Sequence, residues 1–470
     1  MSTSTSQIRN ASHSNKPVIL ISSIAALAGF LFGYDSAVIN GATEAIRHQF
    51  EVGPGPLGFA VASALIGAAV GAFFGGSVAD KIGRTAVMKI AAVLFLVSAL
   101  GSGLAPEIYS LIIFRIIGGV GMGVASIIAP AYIAEIAPSH LRGRLGSLQQ
   151  FAIVVGIFLS QLVNKILADL AGGSAEPLWF GAGAWRWMLL AEVIPAVLYL
   201  LGAYLIPESP RHLIGTGRID EARAVLTRVL GAEELDESVA RIRDSLNRDN
   251  RPSFKDLRGS SFGLKPIVWV GIALAVFQQF VGINVVFYYS NTLWQSVGFS
   301  EDASFVFSLI SATVNVTVTI AAILLVDKVG RRPLLLVGSG GMAVTLGTMA
   351  VVFASATVTE TGPVLEGASG PIALVAANLF VVFFGVSWGP VMWVMLGEMF
   401  PNQIRFSALA IAGFAQWFAN FAVTQTFPML ADFSLAVAYG LYAGFALLSL
   451  FFVLRYVSET KGIELEDMKE

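Results

Sequence analysis

Along the chain, long apolar runs alternate with short polar breaks. Twelve runs, 18–39, 57–79, 87–104, 108–129, 145–167, 185–206, 265–290, 302–326, 333–355, 371–396, 404–427 and 433–455, are each close to the length that crosses a bilayer. Hydrocarbon offers a backbone no hydrogen-bond partner, so a run of about 20 such residues must be helical to span roughly 30 Å. The longest break, 207–264, holds ten acidic and ten basic side chains. In it, "DEARAVLTRVL" and "DESVARIRDSL" set Leu, Val and Ile at helical spacing with charges opposite, which predicts short amphipathic helices outside the membrane. The expected fold is an all-α membrane protein: a tail (1–17), a six-helix bundle (18–206), a helical linker (207–264), a second six-helix bundle (265–455) and a tail (456–470). The first run follows a Ser-rich stretch and leads into "GYD" with no small-residue cleavage site, so it reads as a retained helix rather than a signal peptide.

Composition narrows the functions. Of 470 residues, 56% are hydrophobic and 13% are charged, about half the charged share of a soluble domain. A net charge of −2 provides no field for nucleic acid. The absence of cysteine removes disulfides, thiol nucleophiles and thiolate metal sites. His13, His48, His140 and His212 all fall outside the runs, so imidazole is not expected as an intramembrane ligand or proton carrier. Neither a metal nor a cofactor is expected, and no nucleophile, base and metal constellation points to an enzyme.

Lys81, Arg84, Lys89, Arg142, Arg144, Lys328, Arg331, Arg332 and Arg405 all lie on one side of the spans, against little more than Arg47 and Lys165 on the other. The positive-inside rule makes the basic side cytoplasmic, and an even number of spans puts both termini there, in a multi-pass protein of the cell membrane. The expected partners are the bilayer and a small transported molecule, with a monomer as the working unit.

The chain also repeats itself. "DKIGR" at Asp80 returns as "DKVGRR" at Asp327, "AEIAP" around Glu135 as "GEMFP" around Glu398, and "PESP" with Glu208 as "SETKG" with Glu459. The nearly constant offset marks two homologous halves, the arrangement of secondary transporters.

Polar groups inside the runs carry the chemistry. "FQQFVGIN" places Gln278, Gln279 and Asn284 in one span. On an unbroken helix, at about 100° per residue, they could not share a face. An unwinding near Gly282 would turn all three toward one cavity, with Tyr288 on the same wall; the alternative is interhelical hydrogen-bond glue. Gln150, Gln161 and Asn164 form a stripe on span five that suits a water-lined path. Asn315 and Thr319 pair on span eight, and Gln416 and Asn420 on span eleven. Trp393 follows Gly389 and Pro390, which permit a bend. Amides and an indole suit an uncharged polyol, whose C–H face lies on the ring while its hydroxyls bond the amides.

Asp35, Arg115 and Glu192 are the ionisable groups placed within the membrane in the first half. Charges there are costly and usually functional. A carboxyl group that exchanges its arginine for a desolvated setting is a proton-coupling device; the alternative is a structural ion pair. The paired charges Asp80 with Arg84, Glu135 with Arg142 and Arg144, Asp327 with Arg331 and Arg332, and Glu398 with Arg405 are expected to form a cytoplasmic gate across the halves, together with Glu208 and Glu459. Gly118, Gly119, Gly121 and Gly123 predict close helix packing rather than a dinucleotide loop, since no strand precedes them.

The motifs "DKIGR", "FRIIGGVGMG", "PAYIAEIAP", "LRGRLGSLQQ", "WRWM", "PESPRHL", "FQQFVGIN", "VDKVGRRPL", "WGPVMWVMLGEMFP" and "QWFAN", in order over nearly the whole chain, resemble the sugar porter family of the major facilitator superfamily, nearest to bacterial permeases for glucose and other monosaccharides. The resemblance implies two bundles rocking about a central sugar site. It maps sugar contacts onto Gln150, Gln278, Gln279, Asn284, Asn315, Trp393 and Gln416, with Phe32, Gly389 and Trp417 lining the cavity. Ile157 departs from relatives that have a second glutamine there. An acid at Asp35 resembles the proton symporters. The expected function is proton-coupled import of a monosaccharide, glucose first, with a passive uniporter or a membrane sugar sensor as alternatives.

Overall fold

A computed structural model of the chain describes residues 15–138, 141–230, 235–248, 254–259, 261–359, 362–401 and 404–460. Among these are twelve helical spans long and apolar enough to cross a membrane. The first half is built from α1 (Lys16–Gln49), α2 (Pro54–Ile82), α3 (Arg84–Leu104), α4 (Ile108–Ile136), α5 (Arg142–Ala171) and a sixth span split into α6 (Ala184–Leu190) and α7 (Val193–Leu205). Three short helices, α8 (Pro210–Gly215), α9 (Ile219–Leu230) and α10 (Leu235–Arg248), form the linker. Leu213, Ile214, Ala222, Leu226 and Val239 close a small core of their own there, as their amphipathic spacing predicts.

The second half opens with a span in pieces, α11 (Pro266–Phe280), α12 (Ile283–Tyr288) and α13 (Ser290–Ser296), followed by α14 (Glu301–Val329) and α15 (Arg331–Ala354). After a two-stranded ribbon, β1 (Thr357–Thr359) with β2 (Gly362–Val364), come α16 (Ser369–Val386), α17 (Trp388–Met399), α18 (Arg405–Phe433) and α19 (Leu435–Tyr456). Proline stands in the first turn of α1, α2, α8 and α11, where its missing N–H costs no helical bond. Helix α1 runs ten residues beyond its apolar run because Asn40, Thr43, Ala45 and Ile46 are buried against neighbouring helices. The chain bends into α17 at Ser387 (φ −127°, ψ −93°), just ahead of the Gly389 and Pro390 expected to cause it.

Small residues let the helices close up. A Cβ at Gly119 or Gly123 would strike the carbonyls of Ala64 and Ala68 on α2, so the glycine series of α4 is a packing seam. The two described ends of the chain, at Asn15 and Thr460, and the linker lie on one side of the twelve spans, here termed the linker side. The hydrogen bonds that join the two halves lie toward the far side. Asn40 bonds Ser308 and Asn291, Lys165 bonds Asp302, the N–H of Ser174 bonds Glu301, and Gln425 bonds the carbonyl of Gly55. At mid-depth Phe32 meets Trp417 edge-on, with centroids 6.0 Å apart. The halves are thus held together at the far side and centre.

Candidate functional site

The site begins at a break in a helix. Gly282 sits in the left-handed region (φ 80°, ψ 22°) between α11 and α12, a conformation glycine adopts without the penalty a Cβ brings. A Cβ there would also lie 2.7 Å from the Tyr442 ring. The kink does what the sequence expects and brings three amides together. Asn284 Nδ2 donates to Gln279 Oε1 (2.6 Å), and Gln279 Nε2 donates to Gln278 Oε1 (3.1 Å). Gln416 Nε2 on α18 donates to the same Gln278 oxygen (2.8 Å). Gln278 Nε2 is anchored on the Trp388 carbonyl (2.9 Å) beside the second break, with Gly389 O more distant at 3.4 Å. Gln278 is therefore a hub with its hydrogen-bonding capacity in use. The half-buried Asn284 and Gln416 keep carbonyl oxygens with no partner among the described residues.

The other expected contacts surround this hub without touching it. Trp393, one turn along α17 from Gly389, is 43% exposed and faces Gly413 on α18. Gln150 is exposed on α5, on the stripe that continues through Ile157 to Gln161 and Asn164. The far-side end of that stripe corrects the expectation of a water-lined path. Gln161 and Asn164 are buried, and their amides donate to the carbonyls of Ala37 and Val38 on α1. The stripe is sealed at one end and open at Gln150. Asn315 is half-buried on α14 and Thr319 is buried. Tyr288 is buried at the end of α12, near Ser36 on α1 and Asn420 on α18.

Next to Ser36 is the ionic site. Asp35, Arg115 and Glu192 are each 2% exposed. Arg115 Nη1 donates to Asp35 Oδ1 at 2.6 Å and to the Asp35 carbonyl at 3.2 Å. Glu192, in the gap between α6 and α7, lies near Asp35. One oxygen of each carboxyl group, and Nε of Arg115, have no hydrogen-bond partner among the described residues. Two carboxyl groups stand with a single guanidinium, which bonds Asp35, so the group is electrically neutral only when it holds one proton. Ser36, Ala64, Leu65, Met122 and, from the second half, Tyr288 line a narrow gap beside Arg115.

The charged motifs of the linker side assemble, in this structure, within each half. Arg84 clamps Glu135 through two bonds of 3.0 Å and reaches Asp80 at 3.0 Å. Glu208 accepts from the backbone N–H groups of Arg84 and Thr85, and Ser209 donates to Glu135 at 2.5 Å. The second half copies this arrangement. Arg331 clamps Glu398 (3.1 and 2.9 Å), Glu459 accepts from the N–H groups of Arg331 and Arg332, and Thr460 donates to Glu398 at 2.6 Å. Gly83 (φ 100°) and Gly330 (φ 103°) turn the two corners, each with its Cβ position facing a carboxylate of Glu208 or Glu459. Arg332 also binds the Leu454 carbonyl, Arg405 binds the Phe400 carbonyl rather than Glu398, and Arg144 is exposed. The side chains of Arg142 and Asp327 lie outside the described residues.

Sequence reasoning missed the far-side seal. Asn40 Nδ2 donates to Gln161 Oε1 (3.0 Å) and Ser308 Oγ (3.2 Å), its Oδ1 accepts from Asn291 N (3.0 Å), and Ser308 Oγ donates to Asn291 Oδ1 (2.7 Å). Asn40 and Asn291 each lie one residue beyond the apolar run that would have flagged them. Lys165, taken as an exception to the charge asymmetry, bonds Asp169 and Asp302, both at 2.7 Å, and so ties α5 to α14.

A sequence model described as "Sugar (and other) transporter" matches residues 21–470. The chain belongs to the sugar transporter family. Within this family it is 53% identical over 455 residues to a glucose transport protein of Synechocystis, covering 96% of this chain and 97% of that one. It is 38% identical to the D-xylose-proton symporter of Escherichia coli, covering 98% and 96%. The solved inward-open conformation of the xylose transporter XylE from E. coli superposes with a TM-score of 0.82 at 37% identity, covering 96% and 99%. The complex of that symporter with 6-bromo-6-deoxy-D-glucose gives 0.78 at 39%, covering 97% and 99%. The fold is thus that of the major facilitator superfamily, and the protein is a multi-pass membrane protein.

Proposed function

We propose that this sugar transporter carries a monosaccharide, glucose first, together with a proton, by alternating access, and that it works as a monomer. The observation that carries this reading is the group of neutral amides gathered at mid-membrane by the break at Gly282. A sugar hydroxyl both donates and accepts, so it can exchange partners with Asn284, Gln279 and Gln416 as it sheds water, and no countercharge is needed. Gln278 keeps those amides in place. Trp393, exposed nearby, offers a face to the pyranose, Asn315 adds an amide from α14 of the same half, and Gln150 meets the sugar from the first half as the halves close. Phe32, Trp417, Tyr288 and Gly389 shape the cavity. The similarity to a glucose transport protein favours a hexose.

The Asp35–Arg115–Glu192 cluster is the proposed proton site. Its single shared proton leaves or enters as Arg115 moves between carboxyl groups. The similarity to a D-xylose-proton symporter supports coupling over passive transport. The basic loops favour a cytoplasmic linker side, and with that orientation the far-side bonds are those of an inward-facing state. In the outward-facing state the exposed Asp80 and Arg144 and the half-buried Arg405, with Arg142 and Asp327, bring the Arg84–Glu135 and Arg331–Glu398 clusters together as the cytoplasmic gate.

Transport into weakly buffered proteoliposomes tests the reading. Added glucose should alkalinise the external medium and be accumulated. Sugar equilibration with a flat pH trace would make the protein a uniporter, and binding without flux a sensor.

A further inference from the structure

Two turns on opposite sides of the membrane are built alike. In the far-side loop, Trp179–Ala182 is a turn in which Ala182 N bonds Trp179 O (3.1 Å), with Phe180 at φ 56° and Gly181 at φ 75°. On the linker side, Ser261–Leu264 is a turn in which Leu264 N bonds Ser261 O (3.0 Å), with Phe262 at φ 48° and Gly263 at φ 85°. Positive φ at both central positions is the hairpin geometry that favours Asn-Gly or Asp-Gly, and for a bulky side chain it is strained. Phenylalanine nevertheless occupies the first central position in both, and the two rings are 98% and 97% exposed. Strain and exposed apolar surface would both be unfavourable in water.

Each turn is held by an indole seven residues after its phenylalanine. Trp187 Nε1 donates to Trp179 O (3.3 Å), and Trp269 Nε1 donates to Ser261 O (2.9 Å). Each phenylalanine also comes four residues before a membrane span begins, at Ala184 or Pro266. The separation of the two turns, 262 − 180 = 82, is unlike the half-repeat offsets of 247 to 263, so the duplication did not copy one from the other. At the far-side turn Trp179 and Trp187 pack edge-on with centroids 5.1 Å apart, which adds indole surface to the tip. The boundary between headgroups and acyl chains is the medium that accepts a ring at such a level while leaving the turn's polar backbone in contact with water.

We propose that Phe180 and Phe262 are membrane-interface anchors, one inserted in each leaflet, which fix the depth of the sixth and seventh spans while the two halves rock. Because the chain lacks cysteine, Phe180→Cys and Phe262→Cys accept a nitroxide at one position each. In phosphatidylcholine vesicles, both labels should collide with oxygen more often, and with a water-soluble nickel chelate several-fold less often, than a label at the exposed linker residue Asp236. They should still be shallower than a label at Phe73 on the lipid-facing side of α2. Collision rates equal to those at Asp236 would overturn the proposal, as would spin–spin broadening that assigns the tips to contacts between copies. The unmodified chain offers a second measurement. A phospholipid with a photoreactive group beside its glycerol should give adducts on Leu178–Ala182 and Ser261–Leu264. Adducts confined to mid-span peptides would refute the anchors. Neither outcome bears on the sugar or proton sites.

Discussion

The two halves share a scaffold and differ in what they bury at its centre. At mid-depth the first half holds charge, with Asp35, Arg115 and Glu192 each 2% exposed. The second half holds neutral amides, Gln278, Gln279, Asn284 and Gln416, linked in a chain. At the linker-side corners the halves are the same, down to a Ser or Thr hydroxyl on the clamped glutamate. Duplication has therefore kept the mechanical parts alike and let the chemical parts diverge. A charged centre suits a particle that carries charge, and an amide centre suits one that carries hydroxyls. Tyr288, near both Ser36 and Asn420, stands where the two centres meet.

Substitutions test this division, and the largest effect is expected at the ions. Asp35→Asn should abolish accumulation of sugar against a gradient while leaving counterflow, measured with labelled glucose in proteoliposomes. Retained accumulation would take the proton away from the first half. Arg115→Met leaves two buried carboxyl groups without a cation. A loss of about 3–5 kcal/mol in stability is expected, read from thermal unfolding, with partial recovery when Asp35→Asn is added. Gln278→Leu strips partners from Gln279, Gln416 and the Trp388 carbonyl together. By calorimetry, sugar affinity should fall toward the upper end of about 1–3 kcal/mol, with Gln279→Ala nearer the lower end. An unchanged affinity would confine the amides to structure. The smallest effect belongs to Lys165→Ala, which opens an exposed tie between the halves. It should move part of the population toward the outward-facing form, seen as a longer distance between spin labels on α5 and α14, and high salt should erase the difference.

Much of this was legible in the sequence because the bilayer leaves few choices. Hydrocarbon forces each run into a helix, so the spans could be counted, and a glycine inside a stretch rich in amides forecast the break at Gly282. The Asp35–Arg115 pair was legible for the same reason, since a lone charge at that depth is costly. What escaped depends on three-dimensional partners. Asn40 and Asn291 look like ordinary polar residues at the ends of apolar runs until α1 and α13 meet. Gln161 and Asn164 share a stripe with Gln150, yet periodicity gives only the face and not the depth at which α1 closes over it. Gln278 reads like its neighbour Gln279, and only the Trp388 carbonyl it reaches across to makes it the hub. The glutamates at 208 and 459 were recognised as a repeat, but their role as caps for backbone N–H groups follows from corner geometry that spacing alone does not reveal.

Those caps also have a consequence for how the protein is made. The N–H of Arg84 waits for a carboxylate 124 residues downstream, and that of Arg331 for one 128 residues downstream. During synthesis, then, neither bundle can lock its first corner until the ribosome has passed the last of its six spans, so each half matures as a unit, the first once Glu208 has emerged and the second once Glu459 has.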